Sequence, residues 1–286
     1  MCLMQFPLFT PQTEWIMPDG YPNLKEAKEI SIDLETYDPN LMSHGSGWPR
    51  KDGHIIGYAI AVEGYSWYFP TRHENGSNLD HDQTSRWVKD VCSIDRDYIM
   101  HNALYDLGWL YAEGIDVSGR IIDTMIVAAC LDENRFSYAL NALGRDYLSE
   151  RKNETDLQEA ANAFGINAKS EMYKLPAHFV GAYAEQDATL TLKLWNHFKS
   201  LLIKEDINDI FNLETNVLKV VFEMRKRGVR VDLEKAELLK QKLEQQEREV
   251  LESVKGGDID IWAAASIAKA FDAKGLRYPR TPKSDA

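Results

Sequence analysis

The sequence predicts an α/β fold. Runs rich in β-branched and aromatic residues fall between residues 28 and 125, and the stretches between them space their apolar residues three and four apart. Beyond residue 135 the pattern is mainly helical. Strands that cluster early, with helices between and after them, describe a layered α/β unit over about 28–205 and a helical appendage for the rest.

Residues 1–25 carry Pro7, Pro11, Pro18, Gly20 and Pro22 and read as an irregular lead-in packed on the surface. KEISIDLET (28–36) is an apolar-centred run and reads as a buried strand. Residues 38–53 form a polar, turn-rich loop. HIIGYAIAVEG and YSWYFP read as two strands joined through the Glu63-Gly64 turn. DQTSRWVKDVCS reads as a helix and DYIMHN as a fourth strand. ALYDLGWLYAEG is helical and stops at Gly114. RIIDTM (120–125) is a short fifth strand, followed by the helix IVAACLD. The longest helix is expected from Pro176, a residue suited to a first turn, to about Lys204. Further helices follow at about 207–227, at 233–255 after the extended piece VRVD, and once more within the last 30 residues.

The bulk composition bounds the function. The chain has 286 residues, 44% of them hydrophobic, enough for a sizeable core. With 45 acidic and 33 basic side chains the net charge is −12, which argues against holding nucleic acid by broad phosphate neutralisation. An acidic chain can still act on a strand end if it gathers divalent cations. Three cysteines (Cys2, Cys92, Cys130) without C-x-x-C spacing argue against a disulfide framework or zinc knuckle and suit a reducing cytosol. The N-terminus does not read as a signal peptide, and the longest strongly apolar run, IIGYAIAV (55–62), is too short to span a bilayer, so no membrane partner is expected.

Three carboxylate motifs carry the chemistry. Asp33 and Glu35 are two apart on a strand and so share one face. Two carboxylates there are costly unless a cation or donor sits between them, and a hard ion such as Mg²⁺ prefers such oxygen ligands. With Asp and Glu each at roughly 6% of residues, about one D-x-E is expected by chance. A second copy, Asp232-Leu233-Glu234, opens a helix and reads as an N-cap with its dipole partner. The Asp33 copy differs because it ends an apolar strand. The second motif, HNALYD (101–106), follows a strand and opens a helix, placing Asp106 in the first turn; Asn102 also reads as a cap. The third, Tyr183-Ala184-Glu185-Gln186-Asp187, sets Tyr183 and Asp187 on one helix face.

Strand D-x-E, then N-x-x-Y-D, then Y-x-x-x-D on a late helix resembles the DEDD exonucleases, in the tyrosine subtype found in family A DNA polymerases, the DNA polymerase I class. The histidine subtype would need histidine five residues before the last aspartate, where Ala182 stands. RIIDTM, FSYALNALGRDYL (136–148) and FNLETNVLKVVFEMRKRGVRVD (211–232) are also similar to that family, so the likeness covers about 28–230.

The resemblance implies a ribonuclease H-like mixed five-stranded sheet flanked by helices, with an exonuclease domain over 1–205 and a helical extension over 206–286 similar to the start of a polymerase region. It implies that Asp33, Glu35 and Asp187 bind one Mg²⁺, that Asp33 bridges to a second supported by Asp106, and that Mn²⁺ substitutes. Two such ions stabilise the attacking and the leaving oxygen. Tyr183 would orient the water, since a phenol with a pKa of about 10 is a poor base at neutral pH. Thr36, Asn102 and Tyr105 would hold the terminal nucleotide of a single-stranded DNA 3′ end. Asp123 reads either as a fifth acid or as the cap of the next helix. The basic run Arg225, Lys226, Arg227 and Arg230 reads either as a DNA contact or as a charge-matched helix end.

No palm motif of a family A polymerase is found, so the chain is expected to be the proofreading part of a phage-like polymerase cut before the palm, or a free-standing exonuclease in the cytoplasm of a cell or phage host. A polymerase region in cis or in trans is the expected partner. Two other functions are carried as alternatives: trimming of RNA 3′ ends, which the four acids do not distinguish from DNA trimming, and a non-catalytic protein-interaction module, which would be expected to lack one of the acids.

Overall fold

Alternation along the first strand decides how the molecule is layered. In β1 (Glu29–Tyr37) the residues Ile30, Ile32 and Leu34 enter one core, while Ser31, Asp33 and Glu35 face the opposite side. The structure is a computed structural model that describes residues 13–253, 259–260 and 262–279. The first part of the irregular lead-in, Cys2 and the residues from Arg280 onward lie outside these.

β1 is the centre of a five-stranded sheet of order β3-β2-β1-β4-β5, formed with β2 (His54–Val62), β3 (Tyr65–Pro70), β4 (Asp97–Met100) and β5 (Arg120–Asp123). β1, β2 and β3 run antiparallel, with Gly64 at φ 83° in the hairpin turn, whereas β4 and β5 are parallel to β1. The sheet is therefore mixed, as the resemblance implied.

One short helix, α1 (Leu41–His44), interrupts the turn-rich loop after β1, where only irregular chain was expected. α2 (His81–Cys92) is capped by Asp80, whose carboxylate accepts from the Gln83 amide at 2.7 Å. α3 (Ala103–Ala112) and α4 (Thr124–Leu131) follow β4 and β5. The 136–148 segment is shorter in helix than its sequence suggests: α5 (Leu140–Leu143) passes into a π-helical turn at Gly144–Leu148. After α6 (Thr155–Phe164) the long helix α7 runs over Gly181–Lys204. It starts later than expected, because Pro176 precedes a separate 3₁₀ turn at Ala177–Phe179 instead of the first turn of α7.

α7 closes one face of the sheet, with Ala184, Ala188 and Phe198 against Ile56, Ala59 and Tyr68. α2 and α3 close the other, with Val88, Trp109 and Leu110 against Ile30, Ile32 and Tyr98. Each large apolar side chain buried this way contributes about 1.5–3 kcal/mol. α8 (Asn208–Arg227) packs on the same unit: Phe211 meets Trp195 at a ring distance of 5.5 Å and receives the Arg120 guanidinium at 4.9 Å. The first compact unit accordingly ends at Arg227 and the second begins at Gly228, so α8, grouped with the extension on sequence grounds, belongs to the first unit. The second unit contains α9 (Leu233–Ser253) and α10 (Ala264–Ala273). Among the described residues no helix is long and apolar enough to cross a membrane.

The residues of β2 that pair with the acidic positions of β1 are small: Ala59 faces Asp33 and Gly57 faces Glu35. The next pairs are Thr36 with Ile55, so Ile56 is an extra residue that bulges β2 beside Glu35. At Gly57 a Cβ would strike the Tyr68 phenol, which is fully buried and hydrogen-bonded to His73 Nε2 at 2.7 Å. Gly57→Ala should therefore destabilise the fold by about 1–3 kcal/mol through overpacking. In urea unfolding the midpoint should fall with the slope unchanged; an unshifted midpoint would show that the ring is free to move aside.

Candidate functional site

The site is assembled from three elements that end at one place. β1 brings Asp33 and Glu35 on its shared face, and the face of α7 that meets the sheet brings Asp187, one turn after Tyr183. One carboxylate oxygen from each of Asp33, Glu35 and Asp187 lies within 4.8 Å of the other two. α3 brings Asp106, which is 4% exposed and takes a backbone hydrogen bond from Leu34. Asp106 stands apart from the three-oxygen group but close enough to feel Asp33.

Crowding and burial of like charges set the electrostatics. Burial, then the Asp187 charge, pushes Asp33 up to about 7, with Lys152 opposing. Glu35 is raised well above the usual carboxylate range by burial, Asp33 and Asp187. Asp106 is raised well above it by burial, Asp33 and Asp123. Burial also raises Asp187, against the pull of Lys152. Acids in this condition hold protons unless a cation joins them. Asp187 Oδ1 is buried with no hydrogen-bond partner, and the donors are all oxygens, so the residues fit a hard divalent cation.

A lysine that no motif announced completes the cluster. Lys152 Nζ donates to Asp187 Oδ2 at 2.5 Å and to Tyr183 Oη at 2.9 Å, and lies 4.3 Å from the centre of the Tyr183 ring. Its side chain is 9% exposed. It stands in the polar stretch Glu150–Glu154, where nothing in spacing or composition sets it apart from its neighbours.

The residues expected around the nucleotide divide into two groups. Thr36 Oγ1 and Tyr105 Oη are 2.6 Å apart, and Tyr105 Oη donates to Asp38 Oδ2 at 3.3 Å, which ties the end of β1 to α3. Asn102 is exposed and left-handed, with φ 63° and ψ 49°. Its side chain makes no cap bond, contrary to the reading of Asn102 as a helix cap. Asp123 does that work: its carboxylate accepts from the amides of Asn102 (3.0 Å), Ala103 (2.8 Å) and Met125 (2.9 Å), capping α3 and α4 together. Holding a non-glycine residue at positive φ costs of order 1–3 kcal/mol, and Asp123 supplies the bonds that hold it. In the basic run Lys226 is engaged, with Glu223 at 2.7 Å and the Tyr111 ring at 4.6 Å, while Arg225, Arg227 and Arg230 are exposed.

The raised acids make the metal-free protein sensitive to pH. Asp33 keeps its proton to about 7 when folded but only to about 3.9 when unfolded, so the folded state binds more protons between these values. The stability this supplies is present at low pH and lost as pH rises through about 7; Glu35 and Asp106 act in the same direction. The buried His73 and His101, each pushed down to about 4, act oppositely, but only below about 6.5. In EDTA the melting temperature should fall as pH rises from about 6.5 through about 7, and excess Mg²⁺ should remove the fall. A melting temperature in EDTA that rises over that window would contradict the crowded-acid description.

Known proteins resemble this chain in sequence and in fold. Residues 10–203 match a protein family described as 3′-5′ exonuclease. A DNA-directed DNA polymerase of Pseudomonas phage M6 is 32% identical over 295 aligned residues, which cover 98% of this chain and 44% of that protein. The chain thus spans less than half the length of that relative. Among solved structures, the POL domain of Pol1 from M. smegmatis, in complex with DNA primer-template and dNTP, superposes with a TM-score of 0.60 at 18% identity, over 91% of this chain and 40% of that one. NrnC of Brucella melitensis with bound Mg²⁺ superposes with a TM-score of 0.53 at 14% identity, over 73% and 90%. These structural likenesses are of fold, and the fold is the ribonuclease H-like one.

Proposed function

The chain belongs to the 3′-5′ exonuclease family of family A DNA polymerases, and from that membership we propose that it removes nucleotides from the 3′ end of single-stranded DNA, as the proofreading part of a DNA polymerase I-like enzyme. The observation that carries the proposal is the meeting of Asp33, Glu35 and Asp187 within 4.8 Å, with Tyr183 beside them and Asp106 adjoining. The DNA substrate, in preference to RNA, is favoured by the phage DNA polymerase relative. A polymerase region in cis or in trans is the proposed partner, with the helices beyond residue 205 leading towards it.

Asp33, Glu35 and Asp187 would hold one Mg²⁺, and Asp33 with Asp106 a second. Two ions held so would make a water nucleophilic at neutral pH and neutralise charge on the attacking and leaving oxygens. The chain's own residues would do the positioning. Burial holds the Tyr183 phenol far above its ordinary value, so it stays protonated and acts by hydrogen bonding to the attacking water, not by taking its proton. Thr36, Tyr105 and the exposed Asn102 side chain would seat the terminal nucleotide. The water gives up a proton to bulk solvent as its oxygen bonds to phosphorus, the bond from phosphorus to the 3′ oxygen breaks, and that oxygen takes a proton from solvent to become the hydroxyl of a strand one nucleotide shorter. The released product is a nucleoside 5′-monophosphate.

The test is digestion of matched single-stranded DNA and RNA oligonucleotides in Mg²⁺. Asp33→Ala and Asp187→Ala should each lose roughly 10²–10³-fold in rate or more, the scale on which one electrostatic stabiliser is missed. In EDTA Asp33→Ala should melt no lower than the wild type, because a like charge has left a buried cluster. DNA should be cut faster than RNA. Equal activity of wild type and both variants would refute the assignment, and faster cutting of RNA would move it to an RNA exonuclease. Separately, Tyr183→Phe should slow hydrolysis about tenfold or more, at least ~1.4 kcal/mol of barrier, while Mn²⁺ still binds. Loss of Mn²⁺ binding in that variant would show that the phenol helps hold the ion.

A further inference from the structure

We propose that Lys152 is a positioning residue for this reaction, fixing Asp187 and Tyr183 to each other through a single ammonium group. The inference rests on the exonuclease reading above. Nζ donates to Asp187 Oδ2 at 2.5 Å and to Tyr183 Oη at 2.9 Å, and lies over the Tyr183 ring at 4.3 Å. A cation placed so is attracted by carboxylate, phenol oxygen and ring face together.

The division of labour at Asp187 gives the contact its meaning. Lys152 occupies Oδ2 and leaves Oδ1, which is buried without a partner. One oxygen of this carboxylate lies within 4.8 Å of one from each of Asp33 and Glu35, and Oδ1 is the oxygen with no hydrogen bond of its own. At Tyr183 the ammonium takes a lone pair of Oη, and the phenol is itself hydrogen-bonded to the Asp187 carboxylate, so lysine, phenol and carboxylate form one closed set of contacts. One lysine therefore ties an oxygen of the carboxylate and the oxygen of the tyrosine to the same point.

The backbone that carries Lys152 is itself fastened to α7. The Gln186 side chain accepts from the Asn153 amide at 2.8 Å and donates to the Arg151 carbonyl at 3.3 Å, one residue on either side of Lys152. The Lys152 amide donates to Asn141 Oδ1 at 3.2 Å. Gln186 directly precedes Asp187, so one turn of α7 supplies the catalytic pair and the clamp for the residue that aligns them. A surface lysine with a chance acidic neighbour would have none of this support and would remain exposed.

The test compares wild type, Lys152→Met, Lys152→Arg, Tyr183→Phe and the double variant Lys152→Met/Tyr183→Phe on single-stranded DNA in saturating Mg²⁺, and melts the metal-free proteins in EDTA. Lys152→Met should lower kcat by about 10- to 100-fold with KM for DNA changed less than about threefold, and Lys152→Arg should recover part of the loss. The double variant should be no slower than the slower single variant, because both remove the same alignment. In EDTA, Lys152→Met should melt several degrees lower, and Asp187→Asn alongside it should recover the loss. A raised KM with kcat intact would make the lysine a DNA contact and overturn the proposal. Losses that multiply in the double variant, or unchanged melting in EDTA, would overturn it as well. An active wild type matched by Lys152→Met would sink the lysine's role alone, whereas a wild type inert on DNA would sink the exonuclease reading and the lysine's role together.

Discussion

Like charges gathered out of water must be neutralised, and this constraint organises the first unit of the protein. Asp33, Glu35 and Asp187 are close enough to share one cation, and burial pushes each above its ordinary pKa, with neighbouring acids adding to the rise at Asp33 and Glu35 and Lys152 opposing it at Asp187. The surrounding structure consists of what such a cluster requires. Small residues of β2 pair with Asp33 and Glu35, a buried ammonium stands at Asp187, and Asp123 instead of Asn102 closes two helix ends. A core built for stability alone would not place four acids there, since buried unpaired charge is among the costliest things a fold can contain.

That constraint also explains which parts were legible in the sequence. Period-2 alternation put Asp33 and Glu35 on one face, and an i,i+4 spacing put Tyr183 and Asp187 on one side of a helix; both are local geometry and both hold. The five strands and the main helices follow from the same local patterns. Lys152 was not legible, because it acts from an irregular stretch and is carried to the site by Gln186 and Asn141, 34 and 11 residues away in the chain. Asn102 illustrates the converse: its type and place suggested a cap, but a more distant carboxylate took the cap and left its side chain exposed. Pro176 failed as a helix start because the chain first makes a separate 3₁₀ turn, with Gly181 needed where the Trp15 indole rests on α7.

The acidity of the whole chain fits this account. A net charge of −12 would repel a phosphate backbone if binding relied on the protein surface alone. A substrate held at its end, across divalent cations and by a few uncharged side chains such as Asn102, Thr36 and Tyr105, does not need a basic face.

The central claim is that distant acids converge to hold divalent cations, and a crystal of the protein soaked in Mn²⁺ tests it most directly through anomalous diffraction. The account predicts a peak bounded by Asp33, Glu35 and Asp187, and a second between Asp33 and Asp106, about 3.5–4 Å away. Full-occupancy Mn²⁺ elsewhere on the surface, with none among these carboxylates, would contradict it.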